Sequence, residues 1–287
     1  MKNMLKIELN KAIKNNFFIF AVMLGLAVTF LSFLYNTESY LSGLADRAFY
    51  EEEFNVKYNH FIGITTLYNS WVGGEAYTLG STIYFFIFPI LIAIPYGWSY
   101  CSELKSGYIK NAATRCGKMK YFMSKYISSF IVGGLTMIIP LLTNFLLTAA
   151  FIPAYQPQVN YMQYYGVFSN TFLSEMFYIH PNLYILIYIL LNFIFCGLIA
   201  CLSCTIANIL KNRVISVLFP FVVTLIIHYI ADVFKNYYQL EISFLYFLRP
   251  CPVSCSTNIY VILIELVILI ILTFIPMLIR GKRYEIY

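Results

Sequence analysis

Six long apolar stretches separated by polar segments dominate the chain, and each predicts a membrane-spanning helix. A helix needs roughly 20 mainly apolar residues to cross a bilayer, and each stretch is about that long. The sequence therefore predicts an all-α membrane protein with six transmembrane helices. We place these spans at about residues 17–35, 79–100, 126–152, 183–210, 214–231 and 259–279.

Residues 1–16 are amphipathic rather than uniformly apolar. Lys2, Lys6, Asn10 and Lys14 recur every four residues, while methionine, leucine, alanine and isoleucine occupy the opposite face. That spacing is typical of a helix lying in the membrane interface with its lysines on anionic head groups. The alternative is a frayed, positively charged tail.

The segment between the last two spans, 232–258, is unusually aromatic for a loop. Residues 244–248 read Phe-Leu-Tyr-Phe-Leu and are followed by Arg249 and Pro250. An apolar run of this length is too short to span, which favours a re-entrant segment before the last span. The alternative is an aromatic helix on the protein surface.

Composition excludes a water-soluble protein and leaves no room for a second domain. Hydrophobic residues make up 60% of the chain and charged residues only 11%, whereas soluble domains carry about 25% charged residues. The longest gap between predicted spans is 36–78. We therefore predict one membrane domain over residues 1–287.

The basic residues predict the orientation of the spans. The four on the side predicted to face outward are Arg47, Lys57, Lys235 and Arg249. All others flank the N-terminus, the C-terminus or the loops that follow spans two and four. Since basic residues stay in the cytoplasm, we expect both termini and those loops inside a cell membrane. The lysine-, asparagine- and isoleucine-rich composition is compatible with a bacterium.

Motifs for catalysis or nucleotide binding are absent from the sequence. It contains no P-loop, no H-E-x-x-H and no G-x-S-x-G, and its three histidines, His60, His180 and His228, are far apart. No cysteine and histidine spacing predicts a metal site. Cys251 and Cys255 are the cysteines expected outside, and their spacing leaves open whether they form a disulfide.

Glu265 is the one ionisable residue predicted inside the membrane, near the outer third of the sixth span. A carboxylate there is costly in lipid, so it should face the protein interior or water. Asn144, Asn192 and His228 fall at a similar predicted depth. Together the four predict either part of a polar substrate path or a set of interhelical hydrogen bonds that hold the bundle together.

The loop between spans two and three carries the most informative charge pattern. A glutamate closes span two, a glycine follows, and a basic segment leads to span three. We predict one or two short helices around Gly107 and Gly117. The candidate functional residues of this loop are Glu103, Lys105, Gly107, Lys110 and Arg115.

This loop resembles the first cytoplasmic loop of ABC-2 type transporter permeases, whose pattern runs E…SG…K…R…KY…K. The chain matches it at Glu103, Ser106-Gly107, Lys110, Arg115, Lys120-Tyr121 and Lys125. The similarity extends to the N-terminal amphipathic helix, the six spans, the stretch from Asn208 to Arg213 and the near-re-entrant segment.

The resemblance implies the transmembrane subunit of an ATP-binding cassette exporter. In that family, separate nucleotide-binding subunits bind ATP and Mg²⁺, so this chain would carry no cofactor and would not be an enzyme by itself. Residues 103–115 would couple the ATPase to the spans. A second permease subunit, identical or related, would complete the path. We expect an amphiphilic peptide or drug as substrate, membrane lipid as a partner, and no nucleic acid.

Two other classes stay open at this point. A membrane-embedded enzyme would need convergent acid, base or metal groups at one depth, and only Glu265 with His228 offers any. A peptide sensor or immunity protein would bind an ATPase or a peptide without transport.

Overall fold

The computed structural model describes residues 2–57, 64–169, 171–250 and 257–283, and its regular elements there are all helical. His60, Cys251 and Cys255 lie outside the described residues, so the pairing of the two cysteines stays open. A single 3₁₀ turn covers Val159–Tyr161. The α-helices are α1 (Lys2–Ile13), α2 (Asn16–Phe54), α3 (Leu67–Ser70), α4 (Leu79–Ala93), α5 (Ser99–Lys105), α6 (Tyr108–Cys116), α7 (Lys118–Phe151), α8 (Met162–Tyr165), α9 (Ser174–Ile179), α10 (Pro181–Leu210), α11 (Arg213–Tyr238), α12 (Phe244–Phe247) and α13 (Ile259–Arg283).

Within the described ranges, five helices are long and apolar enough to cross a membrane: α2, α7, α10, α11 and α13. They correspond to five of the six predicted spans, and the prediction of a multi-pass, all-α membrane protein is confirmed at that level. α10 is the central helix: 67% of the residues in its 18-residue apolar stretch are buried, against 22% in α11 and in α13.

The predicted second span, 79–100, is not one continuous helix. α4 ends at Ala93 after 15 residues, and a turn separates it from α5. Pro95 lies in that turn and has no N–H group with which to continue the helical hydrogen bonds. With α4 shorter than a full span, the count of six is not established.

α2 is much longer than predicted, because the helix continues through residues that we expected to form a loop. Its 39 residues give a length of about 58 Å at 1.5 Å per residue. The side chain of Asn15 accepts a hydrogen bond from the Phe17 N–H at the start, and Asn55, with φ of +50°, ends the helix. No proline interrupts 16–54.

Small residues let α7 and α10 approach closely. A Cβ atom at Gly133 would lie 2.4 Å from the Ala200 Cβ, and one at Gly197 would lie 2.7 Å from the Phe130 carbonyl oxygen. Such distances leave no room for a larger side chain. Small residues at helix contacts are typical of membrane proteins, where close backbone approach provides the packing energy.

α1 forms a helix as predicted and packs on α7. Its buried residues, Met4, Glu8 and Ala12, lie four apart on one face. The Glu8 carboxylate thus lies in the middle of the face of α1 that contacts the protein. The sequence predicted only apolar side chains on that face.

α12 packs inside the bundle rather than on its surface. Phe244, Leu245 and Phe247 are buried, and the Phe247 ring lies 5.2 Å from the Phe195 ring of α10. The aromatic run therefore belongs to the core, and the surface-helix alternative is wrong. A re-entrant path for this segment is not established.

Candidate functional site

The predicted coupling loop folds into two short helices, α5 and α6, as the two glycines predict. Gly107 has φ of +72° and separates them, and Gly117 has φ of +86° before α7 begins. Both values lie in the left-handed region that glycine adopts without steric cost. α6 turns Ile109, Ala112 and Ala113 inward, so it is held against α7 as a defined amphipathic element.

The other face of this loop is polar and exposed. Lys105, Lys110, Asn111, Thr114 and Arg115 all project from the protein surface. Three of these five carry positive charge, including two of the residues on α6. We call this surface the α6 face, and it is suited to contact an acidic partner surface or anionic head groups.

Glu103 does not belong to the α6 face, because it is buried. Its carboxylate accepts hydrogen bonds from the Lys125 ammonium at 2.9 Å, from the Ser99 hydroxyl at 3.3 Å, and from Lys11 and Tyr121. The structure therefore divides the predicted coupling residues into an exposed basic set and one buried acid.

Lys125 is the centre of this buried cluster, with no exposed side-chain surface. Its ammonium lies 2.9 Å from Glu103 and 3.3 Å from Glu8. It also lies 3.9 Å from the centroid of the Tyr96 ring, a favourable cation–π geometry. Tyr96 in turn donates its hydroxyl to Glu8. We call Glu8, Lys11, Glu103 and Lys125 the ion-pair network.

The ion-pair network joins three helices that are distant in sequence. Glu8 and Lys11 come from α1, Glu103 from α5 and Lys125 from α7. Two buried carboxylates share one buried cation, and Lys11, whose side chain is 43% exposed, supplies a second at the edge. Removing one partner of such a buried set leaves an uncompensated charge, so the arrangement enforces one relative position of the helices.

The electrostatics around Glu103 and Lys11 favour the charged form of both groups. Burial alone would raise the pKa of Glu103, but the charges of Lys125 and Lys11 and the bonds from Lys11 and Tyr121 outweigh it and hold that pKa below 4.5. Burial would lower the pKa of Lys11, but the charge and hydrogen bond of Glu103, together with the charge of Glu8, raise it. Both groups are thus ionised at neutral pH.

This predicts a loss of stability in acid. A carboxyl whose pKa is lower in the folded than in the unfolded protein stabilises the fold above its unfolded value, and that contribution disappears as the pH falls through the folded pKa. The difference in melting temperature between the wild type and Glu103→Gln should therefore be constant above pH 4.5 and shrink below it. Thermal unfolding in detergent measures it. A difference unchanged down to strong acid would contradict the prediction.

Sequence reasoning missed Glu8 and treated Lys125 as a topology signal. One signal for Glu8 was present: it is the one acidic residue before Glu38, and it lies between Met4 and Ala12 at helical spacing. A single carboxylate on a face that is otherwise apolar calls for a buried cation as its partner.

The four polar residues predicted in the spans do not form one cluster. The Asn144 amide bridges two backbone groups, donating to the Thr29 carbonyl at 2.8 Å and accepting from the Val72 N–H at 2.8 Å. Asn192 donates to the Leu248 carbonyl at 2.8 Å. Both contacts tie helices to neighbouring segments, which is how interhelical hydrogen bonds stabilise a bundle.

His228 lies beside α12. A His228 ring nitrogen is 3.0 Å from the Ser243 hydroxyl. Glu265 is partly buried, and Glu241 is buried. One carboxylate oxygen of each glutamate has no hydrogen-bond partner among the described residues. No hydrogen bond in the described part of the chain joins any two of Asn144, Asn192, His228 and Glu265.

Another buried carboxylate, Glu75, lies at the end of the bundle opposite the ion-pair network. It accepts hydrogen bonds from the Ser32 hydroxyl at 2.7 Å, from the Tyr77 and Thr78 N–H groups at 2.9 Å each, and from the Thr78 hydroxyl. The Glu75 carboxylate therefore connects α2 to the start of α4. Sequence reasoning missed Glu75, which lies in the gap 36–78 between the first two predicted spans.

Two further findings bear on function. In the described ranges no group of three or more histidine, cysteine, aspartate or glutamate residues is arranged to hold a metal ion. Comparison with family models, with curated proteins and with solved structures found no match to this chain.

Proposed function

We propose that this chain is the transmembrane subunit of an ATP-binding cassette exporter of the ABC-2 type. The supporting observation is the combination of the exposed α6 face with the buried ion-pair network beside it. A basic, amphipathic surface helix provides a place for an ATPase subunit to dock. The network then provides a mechanical connection from that helix into the bundle.

The connection follows from the contacts. α6 packs on α7 through Ile109, Ala112 and Ala113, and α5 is bonded to α7 and α1 through Glu103. A force on α6 would move these helices together, because pulling Glu103 from Lys125 would leave both charges buried without a partner. Closure of an ATPase dimer would in this way rock α1 and α7 as a rigid unit.

The other subunits of the transporter would be separate chains. ATP and Mg²⁺ would bind to separate nucleotide-binding subunits, and a second permease subunit would complete the path across a bacterial cell membrane with both termini inside. Glu103 would act here as a positioning residue, since its carboxylate is used internally. Lys105, Lys110 and Arg115 would face the ATPase, and Gly107 would set the angle between the two helices. The cargo would be an amphiphilic peptide or drug.

Reversing the charge of the α6 face tests this proposal. In the variant Lys110→Glu with Arg115→Glu, the amount of co-purified ATPase should fall at least about tenfold, because reversed charges at an interface cost several kcal/mol. The measurement is affinity purification of the full chain in mild detergent, with the P-loop protein in the eluate identified and its amount quantified.

The matched control is Lys6→Glu with Lys14→Glu, which makes the same charge change on exposed residues of the α1 region. It should retain the ATPase. If both variants capture the same amount of ATPase, the α6 face is not the docking surface. If no nucleotide-binding protein co-purifies with the wild type, the exporter proposal itself is contradicted.

A further inference from the structure

Two neighbouring cavities form a groove at the end of the bundle that holds the ion-pair network. One has a volume of about 430 Å³ and the other about 290 Å³, and both are lined by Trp98 and Arg213. The groove lies between the start of α2, the turn after α4 and the start of α11. We call it the Trp98 groove.

One half of the Trp98 groove is apolar. Besides Trp98 and Arg213 it is lined by Phe17, Ile94, Val214, Val217 and Leu218. Phe17, Val214 and Leu218 are exposed on helices that we assign to the membrane. This half is therefore open to the hydrocarbon side of the protein and suits an alkyl chain.

The other half is polar and positively charged. Lys11 and Arg213 line it together with serine hydroxyls and the ring of Tyr108. Glu103 also lines it, but this carboxylate is already bonded to Lys11 and Lys125. The network and the groove together contain three cations and two carboxylates, which leaves an excess of positive charge. They are Lys11, Lys125 and Arg213 against Glu8 and Glu103.

Arg213 carries the unused hydrogen-bonding capacity of this half. No carboxylate in the described part of the chain lies within salt-bridge distance of the exposed Arg213 guanidinium. An exposed guanidinium at the edge of an apolar groove calls for an anionic oxygen acceptor.

We propose that the Trp98 groove binds an anionic phospholipid from the leaflet on this side of the membrane. The phosphate lies on Arg213, with Lys11 beside it, and an acyl chain lies against Phe17, Ile94 and Leu218. Charge complementarity selects a lipid over a hydrophobic partner helix, which would leave Arg213 buried beside apolar surface. The inference does not depend on the exporter function.

Tryptophan quenching by brominated lipids tests the proposal directly. The chain has two tryptophans, and Trp71 is buried against Phe145 at the opposite end. The purified full chain is placed in phosphatidylcholine vesicles that contain a minor fraction of acyl-brominated lipid. Subtracting the signal of Trp98→Phe isolates Trp98 without disturbing the buried Trp71.

We expect brominated phosphatidylglycerol to occupy the site about fivefold more strongly than brominated phosphatidylcholine, since one basic residue near the surface contributes about 1 kcal/mol. Arg213→Gln should remove this preference. Lys211→Gln, a change of an exposed cation that does not line the groove, should keep it.

Three results would overturn the proposal. Equal quenching by both lipids would mean ordinary boundary lipid. A preference that survives in Arg213→Gln would place the anion elsewhere. No quenching of Trp98 by either lipid would mean that protein, such as a second copy of this chain, covers the groove.

Discussion

Lys125→Met should destabilise the protein more than any other single change at this end of the bundle. The variant leaves Glu8 and Glu103 buried close together with no cation between them. Removing one partner of a buried ion pair costs about 3–5 kcal/mol, a large share of the roughly 5–15 kcal/mol by which proteins are stable. Thermal unfolding in detergent, followed by gel filtration of the surviving folded fraction, measures the loss.

The control for Lys125→Met is Lys120→Met, which makes the same substitution at an exposed position of α7. It should change stability by less than about 0.5 kcal/mol. The double variant Glu8→Gln with Lys125→Met should be less destabilised than the sum of its two single variants, since it removes a negative charge together with the cation. Simple additivity would show that Glu8 and Lys125 do not act as a pair.

Hydrophobic length predicted the membrane helices well, because the bilayer imposes that length on the sequence. α10 and α13 begin within two residues of their predicted starts. The loop glycines were equally informative, since one or two short helices were expected around Gly107 and Gly117, and these glycines flank α6 with positive φ.

Polarity misled the prediction of α2. Residues 36–54 are acidic and aromatic, so they resembled an outer loop, but they contain no proline and only Gly43 among the glycines. Alanine, leucine and glutamate in this stretch are good helix formers. The helix therefore continues beyond its apolar part, and polarity marks where a helix leaves the membrane rather than where it ends.

The ion-pair network could not be predicted from sequence alone. Its bonds join residues 92 and 117 positions apart, between Lys11 and Glu103 and between Glu8 and Lys125. A charge beside a predicted span has an adequate explanation in topology, so nothing in the local pattern indicated that Glu103 and Lys125 are buried. Only the packing of α1 on α7 brings these groups together.

Buried carboxylates at both ends of the bundle perform a similar task with different chemistry. At one end, Glu103 joins helices through ammonium groups. At the other, Glu75 joins α2 and α4 through neutral donors, and no cation in the described residues lies within salt-bridge distance of it. A negative charge is also favoured at the N-terminus of α4 by the helix dipole.

Glu75→Leu should therefore cause the largest loss of stability at the opposite end. It leaves the Ser32 hydroxyl and both the N–H and the hydroxyl of Thr78 without their acceptor, and buried donors that lose a partner cost about 1–3 kcal/mol each. Since such effects are not fully additive, we expect a total of about 3–5 kcal/mol. The fraction of the variant that stays monodisperse after heating in detergent measures it.

Glu75→Gln separates the hydrogen bonds from the charge. The amide oxygen can still accept from the Tyr77 and Thr78 N–H groups, and the amide N–H₂ can donate to the Ser32 and Thr78 hydroxyls once these rotate. This variant should lose only about 1 kcal/mol, the contribution of the helix dipole. Glu38→Leu, at an exposed position of α2, is the control and should behave like the wild type. If Glu75→Leu proves as stable as that control, the carboxylate does not hold α2 against α4.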